Sequence, residues 1–238
     1  NSFYSGQVDQ LAAAANAQGQ ALVTAEGDDG AAGIALNKKL QACVPAHSRN
    51  VNEISADPHV TAIGGTQFTP TLDSSGNAVR YSTESVWKDK NGASGGGNSK
   101  VFAKPSFQQG IRHLTRKRAV PDVSFAASPT NPGFFLGFTD PQGNPAIACC
   151  IGGTSMGAPY WAGIMQLAAQ KKSLKRAGNL NTTLYSIQSA GGTGTHDITI
   201  GNNAFHGVGG FKAIKGYDRA TGIGTPDIEA LLSAIAGN

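Results

Sequence analysis

Ser155 has the clearest chemical potential in the chain, because of its setting: Gly152-Gly153-Thr154-Ser155-Met156-Gly157-Ala158-Pro159. A short apolar run, Ala146 to Ile151, precedes this octapeptide, and a stretch with helical spacing, Ser155 to Gln170, follows it. A serine in the first turn of a helix, just beyond the carboxyl end of a strand, stands where a substrate carbonyl can reach it. Free backbone N–H groups and the positive end of the helix dipole favour the oxyanion that attack would create. The small residues Gly152, Gly153 and Gly157 leave room for a peptide, and Pro159 is expected in the first helical turn, where its missing N–H costs little. A lone Thr-Ser before a helix reads as an N-cap. The whole octapeptide favours a nucleophile over that reading.

The elements that must position this serine are legible as short alternating segments. Val8 to Gln18 is alanine-rich with helical spacing and stops at Gly19; Ala21 to Ala25 is a short buried strand. The turn Gly27-Asp28-Asp29-Gly30 follows at once, and Asp between glycines is a frequent turn former. His59 to Ile63 is β-prone and ends at Gly64-Gly65; Arg80 to Trp87 is a strand or an irregular loop; Asn91 to Ser99 has the composition of a flexible loop. Ala119 to Ala126 predicts a strand, and Ala146 to Ile151 a further buried one. The helix from Ser155 places Met156, Tyr160, Ile164 and Leu167 on one stripe, and Asp227 to Ala236, after Pro226, is a terminal helix. Short apolar strands alternating with helices predict an α/β fold with a mostly parallel sheet covered on both faces. Apolar segments continue on both sides of the Asn91 loop, which predicts one domain over residues 1–238. No internal repeat is present.

Composition narrows the class. There are 32 glycines and only 14% charged residues, against a usual ~25% charged, which predicts a compact, loop-rich, secreted protein rather than a disordered one. The net charge of +4 comes mainly from two runs, Arg112 to Arg118 and Lys171 to Arg176. Neither is interleaved with aromatics, so both predict solvated surface rather than a nucleic-acid or other anionic partner. No apolar run is long enough to span a membrane. The three cysteines, Cys43, Cys149 and Cys150, cannot all pair internally; Cys43 could bridge to one of the vicinal pair, or all could be buried free thiols beside a strand. His47, His59, His113, His196 and His206 show no zinc spacing and predict surface or supporting roles.

Gly-Thr-Ser-Met-Gly-Ala-Pro resembles the serine motif of the subtilisin and sedolisin superfamily. Subtilisins take their base from a His-Gly-Thr-His motif, and the one His-Gly here, His206-Gly207-Val208, lacks the second His. Sedolisins, the serine-carboxyl peptidases, use a Glu and an Asp instead, and an Asp in place of the subtilisin oxyanion Asn. Several further segments are similar to sedolisin motifs, in the right order along nearly the whole chain. Gly27-Asp28-Asp29-Gly30 resembles the Ser-Gly-Asp-Ser-Gly turn; Val60 to Thr66 resembles Val-Thr-Ala-Val-Gly-Gly-Thr. Ser94-Gly95-Gly96-Gly97, Pro121-Asp122-Val123-Ser124, Gly216-Tyr217-Asp218 and Thr221 to Pro226 complete the series.

The resemblance implies a subtilisin-like three-layer fold and a peptidase in which Ser155 attacks a peptide carbonyl. Asp28 would donate to the oxyanion, which an Asp can do only when protonated, so it implies acid-favoured chemistry. Asn1-Ser2-Phe3-Tyr4 resembles the family's substrate strand, so Ser2, Phe3 and Tyr4, with Thr154, would line the peptide in β fashion. Asp197 and Asp218 would give carboxylates, and Ile198, Ile214 and Gly216 carbonyls, to a calcium ion. The family's upstream Glu-x-x-x-Asp base pair is absent; Asp9 lies on a helix, but at the wrong place in the order. Three explanations stay open: the base sits on a separate N-terminal fragment of the same precursor, it has been cut off, or the chain is a degenerate homologue. The last would make it a catalytically inactive, calcium-stabilised binding module. A sheet lacking its first strands would expose an apolar edge, which favours a bound partner fragment.

Overall fold

The computed structural model describes residues 2–171, 176–191 and 193–237, and for residues 2–5, 78, 236 and 237 it describes the backbone alone. The elements run α1 Ser2–Ala17, β1 Val23–Ala25, β2 Ile34–Asn37, β3 Ala42–Pro45, β4 Thr61–Leu72, β5 Ala78–Val86, β6 Gly97–Ala103, β7 Lys117–Val120, β8 Val123–Ala126, β9 Phe134–Thr139, β10 Pro145–Ile151, α2 Thr154–Lys171, α3 Asn181–Ser189, β11 Thr195–His196, β12 Thr225–Pro226 and α4 Ile228–Gly237.

The central sheet is parallel where it matters. β1 pairs with β4 (Val23 opposite Thr61), and β4 pairs with β8 (Ile63 opposite Val123). Thr61 to Thr66 of β4 are all buried, as a strand covered on both faces must be. Past Thr66 the strand leaves the sheet core and forms an antiparallel hairpin with β5.

Alternation along β4 separates two cores. Ile63, with Val123, packs on Trp161, Ile164 and Met165 of α2 and on Leu184 and Leu231 of α3 and α4. Ala62 faces the other way, with Val120, under Val51, Ala56 and Phe102. Trp161 also donates from Nε1 to the Ser124 carbonyl (3.0 Å), which ties α2 to β8. It is wholly buried; truncation to Ala would cost about 3–5 kcal/mol. The helix that starts with the Thr-Ser pair is thus fixed against the sheet by its largest side chain.

Several expectations are corrected. The Met156–Tyr160–Ile164–Leu167 stripe is not the buried face: Gly157, Trp161, Ile164, Met165 and Ala168 are, while Tyr160 and Leu167 are exposed. Two residues of the expected stripe are therefore one position off the face the sheet selects. Asn91 to Ser99 is not a flexible loop, because residues 92–97 are buried. Its glycines are required by contact: a Cβ on Gly95 would fall 2.8 Å from Glu26 Cγ, and one on Gly92 would fall 2.6 Å from Trp87. Ala146 to Ile151 is not a buried strand of the parallel sheet. It is β10, paired antiparallel to β9 in a largely exposed hairpin. Its turn is set by Asp140, whose Oδ1 accepts from the N–H groups of Gln142 (2.9 Å) and Asn144 (2.8 Å).

The basic run Arg112 to Arg118 is not wholly solvated surface either. Arg118 is completely buried and paired in bidentate fashion with Asp122. Asp122 also accepts from the Ala62 N–H (2.8 Å) and the Tyr185 hydroxyl (2.8 Å), so this pair cross-links β7, β4 and α3. A buried charge survives only with such an opposite partner; among the described residues the buried Arg118 Nε is left without a hydrogen bond.

Candidate active site

The turn after β1 and the N-terminus of α2 meet at one carboxyl group. Asp28 Oδ1 accepts from the Thr154 N–H (2.8 Å) and from Thr154 Oγ1 (2.7 Å). Thr154 Oγ1 in turn accepts from the Gly27 N–H (3.1 Å). Gly153 has φ +97°, and a Cβ there would fall 2.6 Å from Asp28 Oδ2. Only glycine satisfies both demands. The Gly153 N–H is tied to the Ala127 carbonyl (2.6 Å), at the end of β8. Asp28 is held from behind, its own carbonyl accepting from Ala93 N–H (2.8 Å).

Thr154 spends both its donors on Oδ1. Oδ2, over Gly153, accepts no hydrogen bond among the described residues. Ser155 is exposed beside this clamp, and among the described residues its Oγ has no hydrogen-bond partner. Pro159 is not in the first turn, since the helix begins at Thr154. It sits four residues after Ser155, so the Ser155 carbonyl loses its intrahelical N–H partner.

The sequence-derived substrate residues fare differently. Thr154 is wholly buried, which corrects its assignment as a substrate contact: it positions Asp28 instead. Ser2, Phe3 and Tyr4 lie in α1, not in an extended segment, so β-pairing to a peptide is not available to this backbone; their side chains lie outside those described.

The calcium candidates partly converge. Asp197 Oδ2 accepts from the Gly216 N–H (2.9 Å), and Asp218 Oδ2 accepts from the Ile214 N–H (3.2 Å). Both carboxylates therefore border the loop 214–216. Burial pushes the Asp218 carboxyl up to about 6, its backbone N–H partners offsetting only part of the desolvation. Among the described residues it has no cationic side-chain partner, and no group of three or more His, Cys, Asp or Glu stands at metal-binding separation. A desolvated acid without a counter-charge fits a cation, with carbonyls completing the oxygen set. Ile198 is buried and Ile214 exposed, which leaves a carbonyl role unaffected.

Weighing only Asp9 among the acids ahead of Asp28 misses Glu26, two residues before it. Glu26 is 3% exposed. Its Oε1 accepts from the Asn52 N–H (3.3 Å), and its Oε2 meets Ser55 Oγ. Desolvation is the main cause that pushes its carboxyl up to about 8. Asp29, the other neighbour of Asp28, pairs with His206 Nε2 at 3.0 Å. Glu26 and Asp29 line a cleft of about 810 Å³ with Glu53, Lys38 and Lys100. The available signal was the turn itself, which carries carboxylates where the motif it resembles has two serines.

The cysteines also resolve. Cys43 is a free, exposed thiol, and Cys149 and Cys150 are bonded to each other. Bridging from Cys43 and burial are both excluded.

The fold has a solved relative. The structure superposes on Pseudomonas sedolisin, a serine-carboxyl proteinase solved with two molecules of pseudo-iodotyrostatin, with a TM-score of 0.77 and 32% identity over 97% of this chain and 59% of that one. The fold is thus the subtilisin-like α/β fold, with a serine at the start of the helix that crosses the sheet. Among curated proteins, the chain is 31% identical to sedolisin of Pseudomonas sp. (strain 101) over 97% of its length and 34% identical to kumamolisin of Bacillus sp. (strain MN-32) over 76%. It is 30% identical to tripeptidyl-peptidase 1 of Canis lupus familiaris over 99% of its length. The chain belongs to the sedolisin family. It spans 37% of the length of that sedolisin, 32% of kumamolisin and 40% of the tripeptidyl-peptidase. No protein-family model matches it.

Proposed function

We propose that the chain is the nucleophile-bearing portion of a serine-carboxyl peptidase that hydrolyses peptide bonds in proteins. The Asp28–Thr154–Gly153 clamp beside exposed Ser155 is the observation that carries this reading. Ser155 Oγ attacks the peptide carbonyl and its proton passes to a Glu supported by an Asp, both on an N-terminal segment of the same precursor. Asp28, with Oδ1 saturated by Thr154, holds its proton on Oδ2 and donates it to the oxyanion. One such donor is worth about 3–4 kcal/mol in the transition state. A donor that must be neutral favours acid pH. Asp197 and Asp218, with carbonyls of Ile198, Ile214 and Gly216, hold calcium, which stabilises the loops around them. Secretion agrees with the Cys149–Cys150 disulfide, a bond that persists in oxidising compartments.

The rival reading is an inactive, calcium-stabilised binding module, favoured by the unpartnered Ser155 Oγ. A fluorophosphonate probe separates the two. The chain combined with a segment bearing Glu-x-x-x-Asp is expected to be labelled at Ser155 and to cleave an unstructured protein at acid pH. Absence of both in the combined protein refutes the peptidase. Cleavage products of that reaction also distinguish internal cutting from removal of tripeptides.

A further inference from the structure

The strand that delivers the nucleophile ends in a feature unrelated to the hydrolytic chemistry. β10 pairs with β9 as far as Ala148 opposite Leu136, and resumes at Ile151 opposite Phe134. Cys149 and Cys150 together face the one intervening residue, Phe135, so the disulfide sits inside a β-bulge. Both cysteines are exposed. Cys150 has φ +63°, a region L-residues seldom occupy. A bond between adjacent cysteines closes a small ring that includes their shared peptide, which restricts the torsions on either side of it.

The bulge is seated without slack. A Cβ on Gly133 would fall 2.8 Å from Cys150 Cα and nearer still to the Pro129 carbonyl oxygen; one on Gly152 would fall 2.5 Å from the Ala127 carbonyl oxygen. The same loop, 127–133, therefore contacts the chain at 150, at 152 and, through the Gly153 N–H, at 153. Thr154, the residue that clamps Asp28, comes next.

We propose that Cys149–Cys150 is a thiol–disulfide exchange site for small dithiols, and that its oxidation state sets the order of the Gly152–Thr154 turn. A dithiol HS–R–SH attacks one sulfur as its thiolate; the mixed disulfide is then displaced by the second thiol. The protein gains two hydrogens as Cys149 and Cys150 thiols, and the reagent leaves as its cyclic disulfide. Exposed disulfides are the labile ones. With the ring open, Cys150 is free to leave the left-handed region, the two-for-one bulge relaxes, and the turn loses its fixed seat against Ala127 and Asp28.

The test uses the full chain with Cys43→Ser, which removes the free thiol. Dithiothreitol should add about 2 Da, and the reduced protein alone should bind one equivalent of phenylarsine oxide across the two thiols, with loss of water. Amide exchange at Gly153 and Thr154 should become roughly tenfold faster on reduction and recover on reoxidation. The Cys149→Ser/Cys150→Ser variant should exchange like the reduced form even in oxidant. Failure of the arsenical to bind, or equal exchange at Gly153 and Thr154 in both oxidation states, overturns the proposal. Neither readout depends on peptidase activity.

Discussion

Replacing Glu26 by glutamine should change how stability depends on pH, and the geometry supplies the size of the effect. The site gives each carboxyl oxygen one partner: Oε1 accepts from the Asn52 N–H, and Oε2 is paired with Ser55 Oγ, which also donates to the Asn52 carbonyl (2.7 Å). Ionisation would place a bare charge in a buried site whose nearest charges, Arg118 and Asp122, already neutralise each other. The carboxyl is raised from 4.5 to about 8. A group whose folded pKa lies above its unfolded value stabilises the fold fully below the unfolded pKa. That contribution is lost as pH rises toward the folded pKa. Each unit between the two costs about 1.4 kcal/mol. From pH 4.5, the ordinary value, to about pH 7, the loss assigned to Glu26 is about 3 kcal/mol. The glutamine amide keeps both hydrogen bonds of the neutral acid and carries no proton equilibrium. Urea unfolding of both proteins across this range should show curves that nearly meet at the acid end, with the variant more stable by about 3 kcal/mol near neutrality. Parallel curves with a constant offset would refute the assignment of a buried, neutral Glu26.

Further outcomes follow from the clamp and the buried pair. Gly153→Ala places a methyl on Asp28 Oδ2 and on a backbone with φ +97°. In the chain combined with a segment bearing Glu-x-x-x-Asp, kcat should fall about 100-fold, read with a peptide substrate. Asp28→Asn supplies a donor that needs no protonation, so the alkaline limb of the pH–rate profile should move to higher pH; an unmoved limb argues against a protonated Asp28. Arg118→Met leaves Asp122 as an uncompensated buried charge, and denaturant unfolding should register a loss of about 3–5 kcal/mol. Adding calcium at about 100 times its Kd should raise stability by about 2.7 kcal/mol, with EDTA reversing the rise in Tm. An unchanged Tm removes the cation from the loop around Asp197 and Asp218.

Local pattern carried much of this protein. The octapeptide around Ser155, the Asp28 turn, the helices beginning near Ser155 and Asp227, and the strands containing Ala21 to Ala25 and His59 to Ile63 were all readable from residue types and spacing. Each is a short-range property: turn chemistry, periodicity or a breaker. The same information placed Asp28 and Ser155 in separate segments with no means of joining them.

What joined them is long-range. The parallel order β1–β4–β8, with Gly153 seated on Ala127 just past β8, brings residue 28 to residue 154, and only that contact turns Thr154 from a supposed substrate residue into the buried holder of Asp28. Burial reassigned others in the same way. Arg118 reads as one more surface cation until Asp122 and the sheet enclose it, and residues 92–97 read as a pliant glycine run until Trp87 and Glu26 fill the space their missing side chains leave. Glu26 has no signature in its neighbours, because its chemistry comes from Asn52, Ser55 and the loss of water around it. Residue types and their spacing were enough to name the groups that could do chemistry. Which of those groups are dry, which are paired and which remain open to a substrate was settled by the folded chain, since desolvation and pairing depend on neighbours distant in the sequence.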